Sequence, residues 1–217
     1  MSAAPRECRF KDVNLDSPRR GGRGARVALR TQMREAVRAA ILDAAEELIA
    51  AKGMHAAALV QIAKKAGVAV GTLYNYFTDR DALIRALFES RRATLHPKIL
   101  QAIADGRELP FEARLRRVVR GVLAAFEAHR RYVKVMIETE HLKLAPSTTA
   151  KEIHAALEEV AQAGVKEGVI GRVPPELLAL VVAGAIRGIV LRRTEDGGDF
   201  LAQADDVVSL VLDGARR

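Results

Sequence analysis

The chain has no tryptophan and a single cysteine, and aromatics make up only 4% of its 217 residues. With Cys8 alone there is no intramolecular disulfide, so nothing calls for an oxidising compartment. The five histidines, His55, His96, His129, His141 and His154, have no metal-ligand spacing, which argues against a metal centre. No Gly-x-Ser-x-Gly, P-loop or dinucleotide fingerprint occurs, and the glycines at 21, 22 and 24 follow no strand. Enzymatic chemistry and a bound cofactor are therefore not expected. The first 30 residues hold no apolar core of a signal peptide. The longest charge-poor apolar run, Leu177 to Ile186, is too short to span a membrane. The expectation is a cytoplasmic protein without membrane association.

What is abundant points the other way. Hydrophobic residues reach 49% and charged residues 29%, the profile of an Ala/Leu/Val-rich helical protein. A net charge of +8 favours a polyanionic partner, because clustered Lys and Arg displace counterions from phosphate.

Along the chain, residues 1–30 carry Pro5, Pro18 and several glycines with little apolar periodicity, and read as a flexible basic arm. Seven arginines lie between Ser17 and Arg38 against one acid, Glu35. A solvated tail, a start of translation at Met33 and a DNA-tracking arm all remain open. From Arg34 a helical period sets in through Val37, Ile41, Ala45 and Leu48, stopped by Gly53. A short helix through Leu59, Ile62 and Ala63 ends at Gly67, and a third spans about Val70 to Phe77. These three helices form a head over residues 31–79, followed by an all-helical segment over 80–217. Thr78 and Asp81 read as a capping box for a helix that Pro97 should kink or end.

The stretch "VGTLYNYF" concentrates unusual side chains. At about 100° per residue, Val70, Leu73 and Phe77 share one side, with Tyr74 at its margin. Gly71, Thr72, Asn75 and Tyr76 point the other way. Hydroxyls of Thr and Tyr suit phosphate oxygens, and Asn pairs with an adenine edge. Glycine permits close approach. Arg80 and the free amides of the next helix would add an anion site, so the predicted interface comprises Lys64, Lys65, Val70, Gly71, Thr72, Tyr74, Asn75, Tyr76 and Arg80.

The segments "AILDAAEELIAAKG" and "QIAKKAGVAVGTLYNYFTDRDALIRAL" resemble the TetR family of tetracycline-repressor-like regulators. The resemblance implies an all-α homodimer with an N-terminal helix-turn-helix and a C-terminal domain that binds a small molecule and releases DNA. It also implies phosphate contacts for Thr72, Tyr74 and Tyr76, base-facing positions for Val70, Gly71 and Asn75, and a DNA-side role for Arg38. Arg80 replaces a usual lysine. Ala57, Ala58 and Ala69 stand where hydroxyl residues are usual, which removes two helix caps at a cost on the order of 1 kcal/mol each.

The remaining candidates follow from composition. From Leu177 to Leu191 the helix opened by Pro174 and Pro175 is apolar nearly all round except at Arg187, so it must be covered on most sides. Its small residues allow close backbone approach. A dimer seam is expected from Val181, Gly184, Ala185, Gly188 and Leu191 with Val208 and Val211 of the last helix. The effector cavity that the resemblance implies is expected among Phe88, Leu95, Phe126, Tyr132, Met136, His141 and Arg187, for an apolar or aromatic small molecule. The expected function is a ligand-responsive repressor on a palindromic DNA operator. Two rivals are a DNA-coating or protein-partner module with the same head but no small-molecule control, and a helical carrier or enzyme.

Overall fold

A computed structural model describes residues 21–139, 148–171 and 173–215, and these residues are helical almost throughout. In order they form α1 (Gly21–Lys52), α2 (Leu59–Lys65), α3 (Val70–Tyr76), α4 (Arg80–Ala104), α5 (Phe111–Glu127), α6 (Arg130–Thr139), α7 (Thr148–Lys166), α8 (Pro175–Asp196), a 3-10 turn (Phe200–Gln203) and α9 (Ala204–Ala215). The chain divides into two compact units, Met1–Arg38 and Ala39–Arg217.

In the N-terminal unit, helix begins at Gly21 instead of after residue 30. Pro18 is the last proline before it, and Ala25, Arg26, Ala28, Leu29 and Arg30 are strong helix formers that outweigh the glycine penalty. Residues 24–36 are exposed.

In the second unit, Ile41, Leu42, Ala45 and Ile49 of α1, Ile62 and Ala63 of α2 and Leu73 of α3 are buried to within 1%. Burial of each large apolar side chain contributes about 1.5–3 kcal/mol. Gly53 ends α1 at φ +81, a left-handed conformation that other residues enter only with strain. The cap of α4 differs from the expected one. Asp79, not Thr78, is the N-cap: its Oδ1 accepts the Ala82 amide at 2.7 Å, while Thr78 Oγ1 donates to Asp79 Oδ2. The chain is still extended at Asp79, which decides between the two candidates. Pro97 does not end α4, which runs on to Ala104.

α5 is the central helix, packed against α4, α6, α7, α8 and α9. Phe111, Leu115, Val118, Val119, Val122 and Leu123 give it a buried stripe at three- and four-residue spacing. Its crossing with α4 depends on Gly121, where a Cβ would lie 2.5 Å from that of Ala102. Its first amide, Phe111 N, donates to both carboxylate oxygens of Glu167, 2.9 and 3.1 Å away.

The turn after α8 is fixed by one cluster. Arg130 donates to Glu127 at 2.6 and 2.8 Å and to the Arg193 carbonyl at 2.9 Å, and lies 4.1 Å over the Phe200 ring. Glu127 in turn accepts the Phe200 amide at 3.1 Å. Hydrogen bonding from Arg130 holds the Glu127 carboxyl below its usual range.

Candidate nucleic-acid interface

The connection from α2 to α3 is set by backbone geometry. Gly67, at φ +71, lets its own amide reach the Lys64 carbonyl (3.2 Å) and the Val68 amide reach the Ala63 carbonyl (3.0 Å). This reciprocal pair closes α2 and turns the chain into α3. Both helices start at extended alanines, Ala58 and Ala69, and neither has a side-chain cap.

On α3, Leu73 and Phe77 are buried at 0% and 3%. Gly71, Tyr74 and Asn75 are exposed; Val70, Thr72 and Tyr76 are half-buried. Tyr74 faces solvent more than the helical wheel suggests, at 50% exposure. The Tyr76 ring tilts against Phe77 with centroids 6.4 Å apart. A Cβ at Gly71 would meet nothing within 4 Å. Internal packing therefore does not require glycine there, although glycine costs a helix roughly 1 kcal/mol relative to alanine.

The surrounding charges are distributed unevenly. Lys64 is exposed, whereas Lys65 is held by Glu47 of α1 at 2.7 Å. The anion site expected at the start of α4 is taken by Asp79, whose carboxyl the Ala82 amide holds below its usual range. Arg80 is half-buried, and its Nη2 is enclosed without an acceptor among the described residues. Arg38 lies half-buried on α1, in the N-terminal unit.

The expected effector residues separate. Phe88, Leu95 and Tyr132 are buried, and the Phe88 and Tyr132 rings meet edge to face with centroids 5.6 Å apart. Burial pushes the Tyr132 phenol up to about 12. Phe126 and Met136 are half-buried. Arg187 is exposed on α8, apart from the buried Phe88, Leu95 and Tyr132. His141 lies outside the described residues.

The expected seam residues also separate. Val181, Gly184 and Gly188 are exposed on α8, with Ala185, Leu191 and Val211 half-buried. Val208 is fully buried inside the subunit, at 0% exposure, because the face of α9 that carries it and Leu212 packs inward. Leu177 (49%), Leu180 (59%) and Leu210 (75%) are exposed apolar residues that the sequence reading omitted from the seam. For Leu177 and Leu180, a spacing of four residues from Val181 and Gly184 along α8 was the available signal. A Cβ at Gly184 or Gly188 meets nothing within 4 Å.

One further group went unnoticed in the sequence. Arg91 of α4 forms hydrogen-bonded ion pairs with both Glu46 and Asp43 of α1. No sequence signal identifies such a contact, as its partners lie 45 and 48 positions away. Among the described residues no helix is long and apolar enough to cross a membrane.

Residues 41–87 match the family described as bacterial regulatory proteins, tetR family. The fatty acid metabolism regulator protein of Bacillus subtilis is 45% identical over 51 residues, which are 24% of this chain and 26% of that protein. The chain thus spans about a quarter of the length of the curated relatives it matches first. The fold likeness is much longer. The fatty acid degradation regulator FadR from Bacillus halodurans is 25% identical with a TM-score of 0.67, over 83% of this chain and 97% of that one. FadR from Bacillus subtilis, solved in complex with stearoyl-CoA, shares the fold at 23% identity and a TM-score of 0.65, over 82% of this chain and 98% of that one.

Proposed function

We propose, for a chain that belongs to the TetR family of transcription regulators by its head and its fold, that it binds a palindromic DNA operator as a homodimer and is released by an apolar or aromatic small molecule. The observation that carries this reading is the outer face of α3. Leu73 and Phe77 anchor the helix, while Gly71, Tyr74 and Asn75 face outward, with a glycine that the protein's own packing does not need. On DNA, Asn75 would meet a base edge, Thr72, Tyr74 and Tyr76 would hold phosphates, and the half-buried guanidinium of Arg80 would donate to one more.

Release requires that the effector bind the DNA-incompetent arrangement more tightly than the competent one. A route is available through α4, which begins next to α3, carries Phe88 against Tyr132, and is tied to α1 by Arg91. The interior group of Phe88, Leu95 and Tyr132 suits an apolar effector. The stearoyl-CoA complex of a protein with this fold makes a long-chain acyl thioester the first compound to test.

Selection from random duplex DNA with the purified chain tests the proposal. An enriched inverted repeat, released by an effector, is the expected result. Salt-sensitive binding to every sequence, with no repeat, would favour a DNA-coating module instead.

A further inference from the structure

We infer that the exposed arginines of α1, Arg26, Arg30 and Arg34, form a helical rail that follows the phosphate backbone of duplex DNA, adding affinity without reading sequence. This rests on the reading of the chain as a DNA-binding regulator, and concerns a surface outside the helix-turn-helix.

Because helix begins at Gly21, these arginines lie on a regular scaffold at intervals of four residues. Each step advances about 6 Å along the axis and turns the side chain by roughly 40°. All three therefore lie within an arc of about 80°, and all three residues are exposed. Arg26 and Arg30 make no ion pair with any described residue, and the one acid of the segment from Gly21 to Arg38 is Glu35. Such a row of one sign is repelled by itself and stabilised by a polyanion.

Charge complementarity selects DNA over a lipid surface. A helix that beds in a membrane separates an apolar face from a basic one. Here the exposed apolar residues are interleaved with the arginines: Val27, at 61% exposure, lies about 20° from Arg34 on the wheel, and Met33, at 63%, lies about 20° from Arg26. Burying either in hydrocarbon would drag a guanidinium with it.

The head also leaves a need for such charge. α2 and α3 start without hydroxyl caps, Lys65 is engaged by Glu47, and Asp79 occupies the start of α4. Phosphate neutralisation by α2, α3 and the start of α4 is accordingly thin, and the rail supplies it from the N-terminal part of α1.

The test compares the full-length chain with its R26Q/R30Q/R34Q and R26K/R30K/R34K variants, on the selected inverted repeat and on a random duplex of equal length, between 50 and 200 mM salt. Three lost phosphate contacts should flatten the logarithmic salt slope by about 2.7 in the glutamine variant. Across that salt range the wild type should lose about 40-fold more affinity than this variant. The loss should be equal on both duplexes, leaving the specificity ratio unchanged, and the lysine variant should keep the slope. An unchanged slope in the glutamine variant, or a loss confined to the inverted repeat, overturns the rail while the regulator reading stands. Failure of the wild type to bind any duplex sinks both. Glutamine-sensitive binding to phosphatidylglycerol vesicles in its place would assign the stripe to a membrane.

Discussion

Arg91 of α4 and Glu46 of α1 form a hydrogen-bonded ion pair, and Asp43, one turn earlier on α1, takes the other side of the same guanidinium. One residue thereby ties α4 to the first helix of the head. The side chains of Arg91 and Glu46 are 20% and 12% exposed, so this pair is less screened than a surface one. Arg91→Ala should cost about 1–3 kcal/mol in urea unfolding, chiefly by leaving Glu46 enclosed and unpaired. Arg91→Lys should recover only part of the loss, since a single ammonium does not reproduce the two-sided fork. If α4 transmits the effector signal, Arg91→Ala should also weaken effector-driven release from DNA more than it weakens DNA binding itself. Titrations of the operator complex with effector would measure this.

The two faces of α3 should respond to substitution in opposite ways. Asn75→Ala should leave the unfolding free energy within about 0.5 kcal/mol, while lowering operator affinity by about 1–3 kcal/mol and relaxing specificity at one base pair. Leu73→Ala should cost about 2–5 kcal/mol of stability, because the side chain is fully buried. Equal stability loss in both variants would contradict the division of the helix into an inner and an outer face.

Ala69→Ser tests the missing cap. The residue already has the extended conformation of an N-cap, at φ −67 and ψ 149, and lacks only the hydroxyl. Stability should rise by about 0.5–1 kcal/mol in thermal unfolding. DNA affinity should rise with it if the hydroxyl also reaches a phosphate.

Much of this head was legible from residue type. Gly53 and Gly67 stop helices because their left-handed φ favours glycine, and the spacing of Leu73 and Phe77 determines which side of α3 faces the core. The misreadings have physical causes. Thr78 and Asp79 are both good caps, and only the backbone decides between them. Glycines at 21, 22 and 24 conceal a helix whose periodicity is weak because its exposed faces mix Arg with Val, Leu and Met. The exposure of Arg187 and the burial of Val208 were not legible: α8 is apolar nearly all round and gives no phase, and sequence alone does not say which side of α8 or α9 meets the subunit's own core. Arg91 could not be found, since long-range ion pairs leave no local pattern.

The buried phenol of Tyr132 gives an alkaline signature. Its pKa rises from 10.0 to about 12 because burial disfavours the phenolate. The folded state therefore keeps a proton that the unfolded chain releases first. The resulting stability is fully present below pH 10 and is lost as pH rises from 10 to about 12. Tyr132→Phe should flatten that limb of the stability profile while leaving neutral-pH stability nearly unchanged. Urea midpoints across the alkaline range would measure it, and an identical decline in both proteins would place the sensitivity elsewhere.

The outer face of α8 makes the sharpest demand on the homodimer reading. Leu177, Leu180 and Val181 are about half exposed, and Leu210 of α9 is exposed at 75%, while a Cβ at Gly184 or Gly188 would meet none of the described residues within 4 Å. An apolar patch of this kind marks an interface, and glycines within it allow a second helix to approach closely. Gly184→Arg should therefore leave the subunit folded, with its helical content retained, yet shift sedimentation from dimer to monomer. Affinity for an inverted repeat should fall by orders of magnitude, while affinity for a single half-site stays the same, because only the linkage between heads is lost. Val208→Ala should behave in the opposite way, costing about 1–3 kcal/mol of subunit stability through its buried position with little direct effect on the interface. A Gly184→Arg variant that remains a dimer would move the interface off α8 and leave the exposed leucines to another partner.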